Sequence, residues 1–235
     1  MKKIVLFALT LTMVLAAACP AFAAGKLVVD QEKFYSLEPY DGSFYVYIYA
    51  QVSNAGDKAV EYNNALWEIY DANGDALDSS DWLSCYPDVL EPGEVGYVSA
   101  YMSLDDVASV EDAADYLLTV SGKSAKENTI VRLPATVKYT YTKGDYRDSH
   151  VLTATVTNDT NETVYDYRVV YAVKDAAGNL LFVENVQPSY VGILPGTSVE
   201  VMRDLSYDSV VEELLEQGIL NFDQVEVIAY VDTDY

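Results

Sequence analysis

Laid over itself with a shift of about 104 residues, the chain repeats its own order of strands and turns, and this constrains its fold more than any other feature. Val46-Tyr-Ile-Tyr-Ala-Gln-Val-Ser-Asn54 falls on His150-Val-Leu-Thr-Ala-Thr-Val-Thr-Asn158, two alternating runs that each stop at an Asn. Ala65-Leu-Trp-Glu-Ile-Tyr-Asp-Ala-Asn-Gly74 falls on Val169-Val-Tyr-Ala-Val-Lys-Asp-Ala-Ala-Gly178, a strand running into an Asp-x-x-Gly turn. Leu90-Glu-Pro-Gly93 matches Ile193-Leu-Pro-Gly196, each ahead of another alternating run. Three features in the same order predict two copies of one β unit.

The period of two assigns faces to the strands. Phe44, Val46, Ile48, Ala50 and Val52 share an aliphatic face that belongs in a core, while Tyr45, Tyr47, Tyr49 and Gln51 share the other. In the second copy Leu152, Ala154 and Val156 alternate with Val151, Thr153, Thr155 and Thr157. On the next strand Trp67 and Ile69 correspond to Tyr171 and Val173, which makes Trp67 and Tyr171 core anchors whose polar atoms need partners.

A helix is expected before the last strand of each copy. Ser209-Val-Val-Glu212 reads as a capping box, Val211, Leu214 and Leu215 as an apolar stripe, and Gly218 as the stop. The counterpart near Ser109 to Tyr116 places Ser109 three residues before Asp112, with Val110, Ala113, Ala114 and Leu117 apolar. Closing strands follow at Leu117 to Val120 and Val225 to Val231. The expected organisation is a first β-sandwich unit over residues 24–124, a polar linker over 125–134, and a second unit over 135–235 that opens with the strand Ala135 to Tyr141. Short strands without a βαβ rhythm predict a mainly β chain of two tandem immunoglobulin-like antiparallel sandwiches, each with one short helix before its last strand.

A strand ending in Val-x-Asn, a next strand ending in an Asp turn with Gly, and Leu-x-Pro-Gly before a further strand together resemble the FxLYD-type and related immunoglobulin-like domains of bacterial envelope proteins. Val52-Ser-Asn54, Tyr70-Asp-Ala-Asn-Gly74 and Leu90-Glu-Pro-Gly93 carry the pattern first, then Val156-Thr-Asn158, Lys174-Asp-Ala-Ala-Gly178 and Ile193-Leu-Pro-Gly196. The resemblance covers the middle of each copy and implies an extracytoplasmic, non-enzymatic module.

Met1, Lys2 and Lys3, an apolar run from Ile4 to Ala18, and Ala21-Phe-Ala23 before Ala24 read as a signal peptide over residues 1–23. A competing site at Leu15-Ala-Ala-Ala-Cys19 loosely resembles a lipobox and would leave Cys19 carrying lipid. The apolar run is short of the roughly 20 residues that cross a bilayer, so no transmembrane span is expected in the mature chain. The expected location is extracytoplasmic: secreted, or held at the cell surface as a lipoprotein.

The formal charge is −23, and removing Lys2 and Lys3 makes it more negative. Such a field repels phosphate backbones, which excludes nucleic acid as a partner, and reads as a solvated acidic surface. With Cys19 in the leader, Cys85 is the one cysteine of the mature chain and is expected to be a small buried residue.

Catalytic patterns are missing from the sequence. His150 is the single histidine and falls at a strand start, no Gly-x-Ser-x-Gly elbow or phosphate loop occurs, and no cofactor is expected. Asp105-Asp106, Glu111-Asp112 and Glu212-Glu213 are adjacent acids that point apart rather than forming a glycosidase pair. Asp71, Asn73, Asp75 and Asp78 suggest a calcium loop, yet Gly74 falls at position four of the run, no Glu closes it, and Asp175-Ala-Ala-Gly178 lacks most of those oxygens. A hairpin turn accounts for both.

For binding, Tyr45, Tyr47 and Tyr49 form a ladder on the non-core face, and Trp82, Tyr86 and Tyr190 in the long connections either extend that surface or plug the end of the core. The alternative role for the ladder is to stiffen the sheet or to pack beneath the other unit or the helix. The expected function is an exported binding or adaptor module for a surface protein or glycan. A structural spacer or envelope-assembly subunit is the alternative, and a calcium-binding surface protein a remoter one.

Overall fold

The computed structural model describes residues 25–233 apart from 41, 106, 221 and 223. The expected signal peptide, Cys19 and Asp106 lie outside the described residues. The first half contains β1 (Leu27–Tyr40), β2 (Ser43–Asn54), β3 (Val60–Tyr70), β4 (Ala76–Ser80), β5 (Ser84–Tyr86), β6 (Val89–Leu90), β7 (Val95–Leu104) and β8 (Asp115–Ser124). The second contains β9 (Ile130–Leu133), β10 (Ala135–Thr142), β11 (Ser149–Thr157), β12 (Arg168–Lys174), β13 (Leu180–Val186), β14 (Ser198–Asp204), α1 (Ser209–Glu216) and β15 (Val225–Asp232). Among the described residues all strand pairings are antiparallel.

Sheet order is similar in the two halves, with β5 and β6 only in the first and β9 only in the second. One sheet runs β1-β2-β7-β5 and its counterpart β10-β11-β14; in the other, β3 pairs with β4, β6 and β8, and β12 with β13 and β15. Equivalent residues keep equivalent partners: Ala50 faces Val98 as Ala154 faces Val201, and Trp67 faces Ser80 as Tyr171 faces Glu184. The alternating pattern explains the burial. Val46, Ile48, Ala50 and Val52 of β2 are fully buried in one cluster with Trp67 and Ile69 of β3. Leu152, Ala154 and Val156 do the same with Tyr171 and Val173. The Tyr171 hydroxyl donates to the Val201 carbonyl at 2.7 Å, whereas Trp67 Nε1 finds no partner among the described residues and the Trp67 ring meets Phe34 edge-on at 6.3 Å.

The matched Asn residues are internal cross-ties. Asn54 is 1% exposed and donates from Nδ2 to the carbonyls of Lys58 and Leu90, while its Oδ1 accepts from the Lys26 and Gly56 amides. Asn158 is 0% exposed and donates to Glu162 and Ile193, while its Oδ1 accepts from the Thr160 amide and hydroxyl. Backbone bonds from Gly93 to Asn54 and from Gly196 to Asn158 complete each tie.

Three local expectations need correction. The helix expected near Ser109 is a single 3-10 turn, Val110–Asp112, because β8 already pairs with β3 from Asp115 opposite Tyr70 and leaves no room for more. The cap of α1 is Asp208 rather than Ser209: its carboxylate accepts from the Val210 and Val211 amides. Part of the expected linker is β9, which pairs with the end of β15.

The two halves share a core. Tyr35, Leu37, Tyr49, Val89 and Tyr97 of the first half lie in the cluster that contains the second half's core. β13 lies against β1, β2 and β7.

Candidate functional site

The tyrosine-bearing face of β2 is the most distinctive surface, and the structure divides it. Cross-strand pairing sets Tyr45, Tyr47 and Tyr49 opposite Ser103, Tyr101 and Ser99 of β7, and opposite Leu37, Tyr35 and Lys33 of β1. Tyr49 is 4% exposed, its ring edge-on to Phe182 of β13 at 6.5 Å. Around it the halves exchange polar bonds. The Tyr35 hydroxyl donates to the Leu181 carbonyl at 2.9 Å, the Tyr97 hydroxyl to Glu226 Oε2 at 2.6 Å, and Gln31 bonds both the Gly178 carbonyl and the Leu180 amide. Burial pushes the phenols of Tyr35, Tyr49 and Tyr97 far up, so they remain protonated donors. This end of the ladder is an internal joint.

The other end is open. Tyr45 and Tyr47 are half-buried, and Tyr47 stacks with Tyr101 at 6.1 Å while Tyr101 stands 71% exposed. Burial and the nearby Asp208 charge raise the Tyr47 phenol.

Beneath this surface a charged cluster ties β13, β14 and α1. Glu184 Oε2 lies 2.7 Å from Arg203 Nε, and the Asp208 carboxyl is close enough to act on the Glu184 charge. Burial raises the Glu184 carboxyl to about 7; Arg203 opposes that rise and the Asp208 charge adds to it. On the far side of the joint, Glu226 receives Tyr97 and pairs with Lys174 at 2.9 Å. Burial works against its charge, yet these two bonds hold the carboxyl below its ordinary value.

The remaining expected residues scatter. Trp82 is 90% exposed in the connection before β5. Tyr86 is half-buried beneath the Arg168 guanidinium, 4.6 Å from its ring centroid, whereas its repeat counterpart Tyr190 stands fully in solvent. Cys85 is buried with its thiol pushed up to about 12, and its Sγ donates to the Pro87 carbonyl. That is an inert packing residue. His150 lies in β11 with Nδ1 2.6 Å from the Tyr139 hydroxyl, in a stack with Phe222.

Asp71 closes a hairpin. Its Oδ1 accepts from the Asn73 and Asp75 amides, its Oδ2 from the Asn73 side chain, and Gly74 takes φ 85°. Asp175 repeats this with Ala177, Asn179 and Gly178 at φ 86°. The Asp78 carboxylate accepts from the Ser79 amide. Among the described residues no three His, Cys, Asp or Glu side chains gather closely enough to hold a metal ion, and no helix is long and apolar enough to cross a membrane.

Sequence reasoning missed Tyr35, Tyr97, Tyr101 and the Glu184 cluster. The signal available for the first three was position, since each lies opposite or beside the ladder on a neighbouring strand. No family model matches the chain, and no curated protein matches it.

Proposed function

We propose that this chain is an exported, non-enzymatic adaptor of the bacterial envelope or secreted fraction, built from two immunoglobulin-like sandwiches of FxLYD type joined as one rigid piece. The observation that carries this reading is the division of the tyrosine face. One end, at Tyr49, joins the halves through Phe182, and the other, at Tyr45, Tyr47 and Tyr101, is left beside α1 as an amphipathic contact surface. Tyrosine offers broad contact area at low entropy cost, which suits a protein or glycan at the cell surface. The leader-like residues 1–23 and the acidic composition support export and solubility.

The test separates surface from joint. Replacing Tyr45 and Tyr101 together with Ala should weaken binding of the labelled protein to intact bacterial cells or purified cell-wall glycan by about tenfold or more, with an unchanged melting temperature. Loss of stability in that variant would assign these side chains to the sheet instead.

The burial of Tyr49 also favours a second reading, a structural spacer or assembly subunit. A wild-type protein that binds neither cells nor glycan yet melts as one rigid unit would support it.

A further inference from the structure

The two halves differ at their sheet edges: β5 covers β7 in the first half while β14 has no such cover among the described residues, and β9 covers part of β15 while β8 has no such cover. The last four residues of β15 are covered by β9, from Ala229 opposite Leu133 to Asp232 opposite Ile130. Before that point, Val227 and Ile228 share a groove with Glu94 and Val95 of the first half. The equivalent strand β8 pairs with β3 along its whole length, and among the described residues it pairs with nothing on its other edge. This edge is ten residues long and flanked by apolar side chains in water, with Leu117 49% and Leu66 39% exposed. A long strand edge of this kind is a template for another strand.

We propose that β8 pairs antiparallel with β8 of a second copy of this chain, about a two-fold axis through Thr119. The sequence of the strand selects this partner and this register. Pairing about Thr119 sets Asp115 against Lys123 of the other copy at both ends. It sets Tyr116, whose ring stacks on Phe34 of its own copy, against Gly122, and Leu118 against Val120 on the face that already packs on the first-half core. Thr119 meets Thr119. Shifting the centre to Leu118 separates both charges from their partners, with Lys123 opposite Ala113 and Asp115 opposite Ser121. Each copy carries Lys123 within 3.0 Å of its own Glu61, so the cation of one copy would sit between two acids. The free edge of β14 offers no such match, because centring it on Met202 would put Glu200 against Asp204. A copy-to-copy contact here leaves the Tyr45, Tyr47 and Tyr101 surface out of account, so its failure would not touch the adaptor reading.

Net charge opposes the association, −23 on the full chain and more negative once Lys2 and Lys3 are removed, and salt screens that repulsion over a Debye length of about 8 Å at 0.15 M. Sedimentation equilibrium of the purified exported protein should therefore show a dimer whose population rises between 0.15 and 0.5 M salt, values chosen about the physiological one. Thr119→Lys sets two cations face to face on the axis and should raise the dissociation constant at least about tenfold, with the melting temperature of the dilute monomer unchanged. Oxidation supplies a second, geometric readout. Thr119→Cys should cross-link to itself, since directly opposed residues lie about 4.5–5.5 Å apart. Leu117→Cys should not, because its copy lies four residues away, roughly 13 Å along the strand. Buried Cys85 stays out of this reaction. A wild type that is monomeric at both salts, a Thr119→Lys variant that dimerises normally, or equal cross-linking through both cysteines would each overturn the proposal.

Discussion

A side-chain amide sealed from water must find all its hydrogen bonds within the protein, and Asn54 and Asn158 each tie a strand end to two other chain segments. Removing such an amide strands the carbonyls it served. Asn158→Ala should lose about 3 kcal/mol in urea unfolding, from one buried and one part-buried acceptor left bare, and Asn54→Ala a similar amount. The matched Asn marks both strand ends in the sequence, and the Asp-x-x-Gly turns are equally plain there because their bonds stay within four residues. What the amide does is not visible in the same way. Its partners at Leu90 and Ile193 lie 36 and 35 residues downstream, and no local pattern reports that a loop has been brought over it.

The elements β13, β14 and α1 meet at Glu184, Arg203 and Asp208, and their packing should be felt as a pH dependence. The Glu184 carboxyl lies at about 7 against an ordinary 4.5, so the folded chain holds this proton more tightly than the unfolded chain. Its contribution to stability is complete below about pH 4.5 and is lost as pH rises through about 7, a span of roughly 3 kcal/mol. Urea midpoints should fall across that window, and Glu184→Gln should flatten the slope; an unchanged slope would show that the burial is not felt. Elements themselves were unevenly legible. The stripe and Gly218 declare α1, whereas Ser209 and Asp208 can both cap it, and only the bonds to the Val210 and Val211 amides decide. Four residues of β9 are too few for a period, and the polar stretch before them disguises them. Near Ser109 the helical pattern was genuine but yielded to the β3 and β8 register, which begins three residues after the turn.

For the whole molecule the joint at Tyr49 decides whether two units behave as one. With Tyr35, Tyr49 and Tyr97 buried in the second half's cluster, the wild type should melt in a single calorimetric transition. Tyr49→Ala removes a buried ring at a cost of about 3–5 kcal/mol and should split the melt in two; a single sharp transition in that variant would place the joint's strength elsewhere. The ladder was readable from a period of two, and its absence at Val151, Thr153 and Thr155 showed that the strand pairing does not require it. Which end would be covered was not readable, since that depends on how β13 lies across β1, β2 and β7. The joint also bears on the proposed adaptor role. Halves welded through Phe182 cannot close around a ligand like jaws, so Tyr45 and Tyr101 present a contour that exists before any encounter. Binding to it would proceed with little ordering entropy, and its heat-capacity change should track the area covered and nothing else.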